Sequence, residues 1–79
     1  MNQSKLFNVG VGVLELPPSV DRIEIKSFDN GYIIEFRTKA GDFVLNMKSN
    51  AMKPQVFMSL DSVRKRIIDL GWTSGFYVV

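Results

Sequence analysis

Three neighbouring segments alternate apolar and polar residues with the two-residue period of half-buried β-strands. They are residues 20–28, 32–38 and 43–48. Asn30-Gly31 separates the first two segments and favours a type I′ hairpin turn, because asparagine and glycine accept positive φ. Ala40-Gly41 turns the chain again before the third segment. With these pairs at the two loop tips, Ile25 lies opposite Phe36, and Phe36 lies opposite Leu45.

This register collects the larger apolar side chains on one face of the predicted sheet. That face holds Ile23, Ile25, Ile34, Phe36, Phe43, Leu45 and Met47. The opposite face receives opposite charges across the ladder, as Lys26–Glu35 and Glu24–Arg37, which favours the same pairing. A slip of one residue would scatter the apolar set over both faces, so the two turns support each other.

The remaining pattern predicts the outer elements. Residues 5–16 form a first strand that ends at Pro17-Pro18, residues 56–58 form a short strand, and residues 76–79 form a last strand at a sheet edge. A single helix begins at the N-cap Ser59 and ends at Gly71. Its apolar seam is Leu60, Val63, Ile67 and Leu70.

These elements predict one α+β domain over residues 1–79. An antiparallel β-meander of four to six strands is packed on one face by a single C-terminal α-helix, in the order β-β-β-β-(β)-α-β. The length of 79 residues agrees with one domain. With 46% hydrophobic and 23% charged residues, the composition is that of a globular chain.

Composition also limits the chemistry. The chain has neither cysteine nor histidine, so it lacks thiolate sites and the commonest zinc ligand and general base. Turn, helix-start and cross-strand positions account for five of the eight carboxylates, Glu24, Asp29, Glu35, Asp42 and Asp61. The serines have no histidine to activate them. We therefore expect no catalytic residue, metal, cofactor or small-molecule substrate. We also expect a cytoplasmic protein without membrane contact, since the sequence shows no secretory signal and no membrane-length apolar run.

Basic residues are concentrated between residues 48 and 66, where the single acidic residue is Asp61. They are Lys48, Lys53, Arg64, Lys65 and Arg66. Such a group can contact the phosphates of DNA or RNA. The alternative is a solvated helix face, because at about 100° per residue three consecutive cations fan around the helix.

Two apolar groups are candidates for a protein interface. On the face away from the helix, Phe28, Ile33 and Val44 either close the first hairpin or form a contact surface. The second group lies at the end of the predicted helix and in the segment after it, and comprises Ile68, Trp72, Phe76, Tyr77 and Val78. Exposed apolar area often marks an interface. An uncharged edge strand also invites pairing with a second chain, so we expect a homodimer.

The second half of the chain also resembles a known class of proteins. Phe57 ends a strand, Ser59-Leu60-Asp61 opens a short helix, and Gly71-Trp72 closes it. In this order of features, the chain from Phe43 onward resembles small accessory proteins of plasmids and phages. The resemblance implies a DNA-related role. The preceding turn, at residues 49–52, departs from it by lacking the arginine and glycine that such proteins usually carry there.

Two functional hypotheses follow from the sequence. The first is a small non-enzymatic nucleic-acid-binding accessory protein of a mobile genetic element, which acts through the basic residues. The second is a protein-interaction module, a small homo-oligomeric inhibitor or adaptor of a host protein, which acts through the apolar groups without binding nucleic acid.

Overall fold

The computed structural model of the chain describes residues 5–7, 19–47 and 53–79. Its elements are β1 (Lys5–Phe7), β2 (Val20–Phe28), β3 (Gly31–Thr38), β4 (Gly41–Leu45), α1 (Leu60–Asp69) and β5 (Tyr77–Val78). The strands form one five-stranded sheet in the order β1-β4-β3-β2-β5. The prediction of an α+β fold, with one helix after the central strands, is confirmed for the described residues.

The sheet is mixed, which corrects the prediction of a wholly antiparallel meander. β2, β3 and β4 are antiparallel neighbours joined by hairpins, as predicted. β1 instead lies parallel to β4, and β5 lies parallel to β2 at one edge of the sheet. A parallel neighbour requires a crossover connection, and the segment that contains α1 supplies it for β5. Of the predicted first strand, residues 8–16 lie outside the described residues.

The first hairpin is displaced by two residues from the predicted register. Asp29 and Asn30 occupy the turn with φ of 49° and 64°, and Phe28 pairs with Gly31. Ile25 therefore lies opposite Ile34. Aspartate and asparagine accept this left-handed conformation, so the turn does not need the glycine. Because the side-chain period of a strand is two, the displacement leaves each side chain on its predicted face.

The second hairpin is displaced in the same way. Thr38 pairs with Gly41, which places Lys39 and Ala40 at the tip. The Ala40 N–H donates to Thr38 Oγ1 over 3.1 Å, and the same hydroxyl donates to the Gly41 carbonyl over 2.6 Å. A threonine that bonds the backbone in this way stabilises the turn that begins at it.

The predicted apolar face forms the core of the protein beneath α1. The fully or nearly fully buried residues are Ile23, Ile25, Ile34, Phe36 and Leu45 of the sheet with Val63, Ile67 and Leu70 of the helical segment. Phe43 packs against this cluster, and Met47 is half-buried. Leu60 was predicted on the helix seam but is 39% exposed. The buried seam therefore begins one turn later, at Val63.

A close backbone contact joins the segment before α1 to the start of β3. The Tyr32 N–H donates to the Phe57 carbonyl and the Phe57 N–H donates to the Tyr32 carbonyl, each over 2.8 Å. A Cβ atom at Gly31 would lie 2.6 Å from both the Phe57 carbonyl oxygen and Val56 Cγ1. Glycine is thus required at position 31 by this approach. The strand predicted at residues 56–58 is reduced to one isolated bridge.

We predict that Gly31→Ala lowers the free energy of unfolding by about 1–3 kcal/mol, as overpacking typically does. Urea denaturation followed by Trp72 fluorescence measures the change. Ser27→Ala, at an exposed position of the neighbouring strand, is the control and should shift stability by less than ~0.5 kcal/mol. Equal stability of the Gly31→Ala and wild-type proteins would contradict the close approach of residues 56 and 57.

Candidate functional site

The candidate site lies where α1 ends and the chain turns back over the core. The Gly71 N–H donates to the Ile68 carbonyl over 2.9 Å, and the Trp72 N–H donates to the Ile67 carbonyl over 3.2 Å. With Gly71 at a φ of 89°, these bonds form a Schellman motif. The predicted helix end at Gly71 is confirmed. So is the N-cap Ser59, whose hydroxyl accepts the Ser62 N–H over 3.2 Å.

The segment after the helix is held in place by Trp72. The Trp72 indole Nε1–H donates to the Gly75 carbonyl over 2.6 Å. Trp72 and Phe76 both pack against the core cluster and remain partly exposed. A backbone bond at one end of this segment and an indole bond across it fix the loop relative to α1.

Between α1 and this loop lies a cleft of about 180 Å³, which we call the helix-end cleft. Its lining includes the apolar residues Ile67, Ile68, Trp72 and Phe76 and the polar residues Arg64 and Thr73. Ile67 is 2% exposed, whereas Ile68 is 51% exposed. Arg64 and Ile68 are four residues apart, so they share one side of the helix.

Arg64 and its neighbour Lys65 share one carboxylate. Arg64 Nη2 lies 3.1 Å from Asp61 Oδ1, and Lys65 Nζ lies 3.7 Å from Asp61 Oδ2. The hydrogen bond from Arg64, followed by the charge of Lys65, lowers the pKa of Asp61. All three side chains are more than half exposed, so these ion pairs contribute little stability. One negative charge faces two positive charges, and this side of the helix stays positive.

Among the described residues, the other predicted basic residues form no ion pair with Asp61. Lys48 lies outside the described residues. Lys53 is exposed on the segment that precedes the helix, and Arg66 is half-buried in the last helical turn.

Of the first predicted apolar group, only Phe28 is exposed. Its exposed fraction is 43%, against 7% for Ile33 and 6% for Val44. In the observed register Ile33 lies opposite Lys26, so it is not the cross-strand neighbour of Phe28. Because Ile33 and Val44 are buried within the chain, they are not part of the candidate site.

Of the second group, Tyr77 and Val78 lie on β5 and are more than half exposed. Tyr77 pairs with Glu24 and Val78 pairs with Ile25, so their side chains project to opposite faces of the sheet. The Arg22 guanidinium carbon lies 6.0 Å from the centroid of the Tyr77 ring. Tyr77 therefore belongs to the charged face, and Ile68, Trp72 and Phe76 remain together at the helix-end cleft.

The sheet face opposite α1 carries an ion-pair network centred on Arg37. Arg37 Nη2 lies 2.8 Å from Glu24 and 3.1 Å from Glu35, and Arg37 Nη1 bonds Asp42. Lys26 lies 2.9 Å from Glu35, so both predicted ion pairs form. They form along the diagonals of the ladder, because the residue directly opposite Glu24 is Glu35.

This network stabilises the sheet by pairing carboxylates that the fold has buried. The side chains of Glu24 and Glu35 are only 9% and 7% exposed. The hydrogen bond from Arg37 lowers the pKa of Glu24, against the opposing effect of burial. Removing one partner of such a network leaves a buried charge without compensation, which is strongly destabilising.

The residues that the structure describes contain no group of three or more acidic side chains placed to hold a metal ion. Over the same residues, no helix has the length and apolar character needed to cross a bilayer.

We predict that stability falls in acid partly through Glu24. Since the folded-state pKa of Glu24 is lowered from its ordinary value of 4.5, the unfolded chain takes up this proton first as the pH falls. The stabilisation is therefore complete above the unfolded pKa and is lost as the pH falls through the folded pKa. Urea denaturation over a pH series measures it.

Glu24→Gln should be less stable than the wild type at neutral pH and should lose less stability on acidification. Asp69→Asn, which changes an exposed carboxylate on α1, is the control and should keep the wild-type pH dependence. A Glu24→Gln variant with the wild-type slope would contradict the assignment to Glu24.

Comparison of the chain with protein-family models, with curated proteins and with solved structures gave no match. The resemblance to plasmid and phage accessory proteins therefore stays a prediction from the sequence.

Proposed function

We propose that this protein is a non-enzymatic protein-interaction module, such as a small inhibitor or adaptor, that binds a partner protein at the helix-end cleft. The observation that carries the proposal is the half-exposed Ile68 beside a cleft lined by Trp72 and Phe76. Aromatic and aliphatic side chains that remain accessible on a folded surface are typical of interfaces.

The size of the cleft favours a protein as its occupant. Its volume of about 180 Å³ is below the ~300–1,000 Å³ of typical small-molecule sites. A cleft of this size suits one apolar side chain supplied by a larger ligand. Tryptophan and arginine, both present in its lining, are enriched among the residues that dominate binding energy in interfaces.

The cleft is also rigid enough to act as a binding surface. The Schellman bonds at Gly71 and Trp72 and the indole bond to Gly75 hold the loop against α1 before any ligand arrives. Binding then requires little additional ordering of the protein, which leaves more of the contact energy for affinity.

Nucleic-acid binding is the competing proposal, and the exposed Arg64 and Lys65 are the residues that favour it. The cleft beside them is lined by the apolar side chains of Ile68, Trp72 and Phe76, which favour an apolar ligand group over a phosphate. We therefore place protein binding first and make nucleic-acid binding an outcome of the test.

The test is selection of binding sequences from a phage-displayed library of random peptides on the purified protein. Ile68→Glu should weaken the binding of the selected peptides by about tenfold or more. This corresponds to the loss of one central apolar contact worth ~1.4 kcal/mol. Leu60→Glu is the matched control, because Leu60 is exposed on the same helix but is not among the residues that line the cleft. The peptides selected on the wild-type protein should bind the Leu60→Glu variant with wild-type affinity.

Two results would contradict the proposal. One is a selection that yields no sequence whose binding depends on Ile68. The other is salt-dependent binding of short oligonucleotides, measured by fluorescence anisotropy, that Arg64→Glu abolishes and Ile68→Glu leaves intact. Far-UV circular dichroism of each variant verifies that α1 is retained.

A further inference from the structure

We infer that the partner segment is acidic as well as apolar: one apolar side chain fills the helix-end cleft while a neighbouring carboxylate binds Arg64. This inference rests on the proposed function and adds the chemistry of the partner to it.

The position of Arg64 supports this pairing. Arg64 lines the same cleft as Ile68 and Trp72, and its side chain is 57% exposed. A ligand group seated between Ile68 and Trp72 therefore has its adjacent residues close to the guanidinium. Arginine is suited to this role because its planar group binds a carboxylate through two parallel hydrogen bonds.

Arg64 also retains unused hydrogen-bonding capacity. Its described contact with Asp61 uses Nη2 alone, over 3.1 Å. A guanidinium carries five N–H donors, so most of them remain available to a ligand. The existing pair is exposed and spans three residues of one helix, so exchanging it for a ligand carboxylate costs little.

The net charge of the helix indicates the sign of the charge that a partner should carry. Residues of α1 supply three cations, Arg64, Lys65 and Arg66, against the two carboxylates Asp61 and Asp69. The chain as a whole has a formal charge of +2. An acidic partner is therefore attracted both at the cleft and at longer range, which raises the rate of association and gives specificity.

The same charges disfavour a second copy of this chain as the occupant. A two-fold contact centred on the cleft would bring Arg64 and Lys65 of both copies together. Like charges placed close together in an interface repel each other and weaken the contact. A negatively charged segment of a different protein avoids this repulsion.

The decisive experiment repeats the peptide selection on Arg64→Glu and on Lys53→Glu. Wild-type protein should enrich peptides with aspartate or glutamate next to an apolar residue. Arg64→Glu should bind those peptides about tenfold or more weakly and should enrich lysine or arginine at the same position. Lys53→Glu makes an identical charge change at an exposed site that does not line the cleft. It should keep the acidic preference.

The outcomes separate this inference from the proposed function. Peptides that depend on Ile68 but show no acidic preference would overturn the inference and leave the proposed function standing. An acidic preference that survives Arg64→Glu, or one that Lys53→Glu removes equally, would overturn the assignment to Arg64. Absence of any Ile68-dependent peptide would overturn the proposed function itself, and the inference with it.

Discussion

The paired backbone hydrogen bonds between Tyr32 and Phe57 are the constraint on which the second half of the fold depends. They anchor the segment before α1 against the sheet, and Gly31 makes room for them because any Cβ at that position would collide with residue 57. Ser59 caps the helix only two residues after the bridge. The bridge therefore determines where α1 begins over the apolar face. The Schellman motif at Gly71 determines where α1 ends, and the two ends together set the position of the cleft.

The sequence predicted the faces of the sheet correctly although it predicted both hairpin registers incorrectly. Each register was displaced by two residues, and a displacement by an even number keeps every side chain on its face. The turn glycines were the source of the error. Gly31 looked like part of the turn, but Asp29 and Asn30 supply the positive φ and the glycine serves the approach of Phe57. A single sequence does not reveal such a long-range contact, because nothing near position 31 signals that residue 57 will lie beside it.

The second face of the sheet shows a different limit of sequence-based prediction. Its alternation of charged and apolar residues predicted an exposed surface, yet Ile33 and Val44 are buried and so are Glu24 and Glu35. Alternation shows which residues share a face, but it does not show how deeply that face is covered. The ion pairs were still predictable. A cation and a carboxylate on neighbouring strands can reach each other along the diagonal of the ladder as well as directly across it. Burial makes these pairs structural, because a buried carboxylate requires a partner.

The candidate site combines residues that the sequence had assigned to two different functions. Arg64 was placed with a basic surface, and Ile68 and Trp72 with an apolar one. Their four-residue spacing, continued through the Schellman turn, sets all three beside one cleft. The spacing of positions 64 and 68 indicated that these two residues share one side of α1. Only the structure shows the reversal after Gly71 that brings residues 72–76 alongside α1. Joining them changes the chemistry that the site can recognise. An apolar cleft alone accepts any apolar side chain. A guanidinium beside it repels a cationic residue next to that side chain and attracts an anionic one. Asp61 does not prevent this selection, because its exposed ion pair with Arg64 uses Nη2 alone and can be exchanged for a ligand carboxylate at little cost.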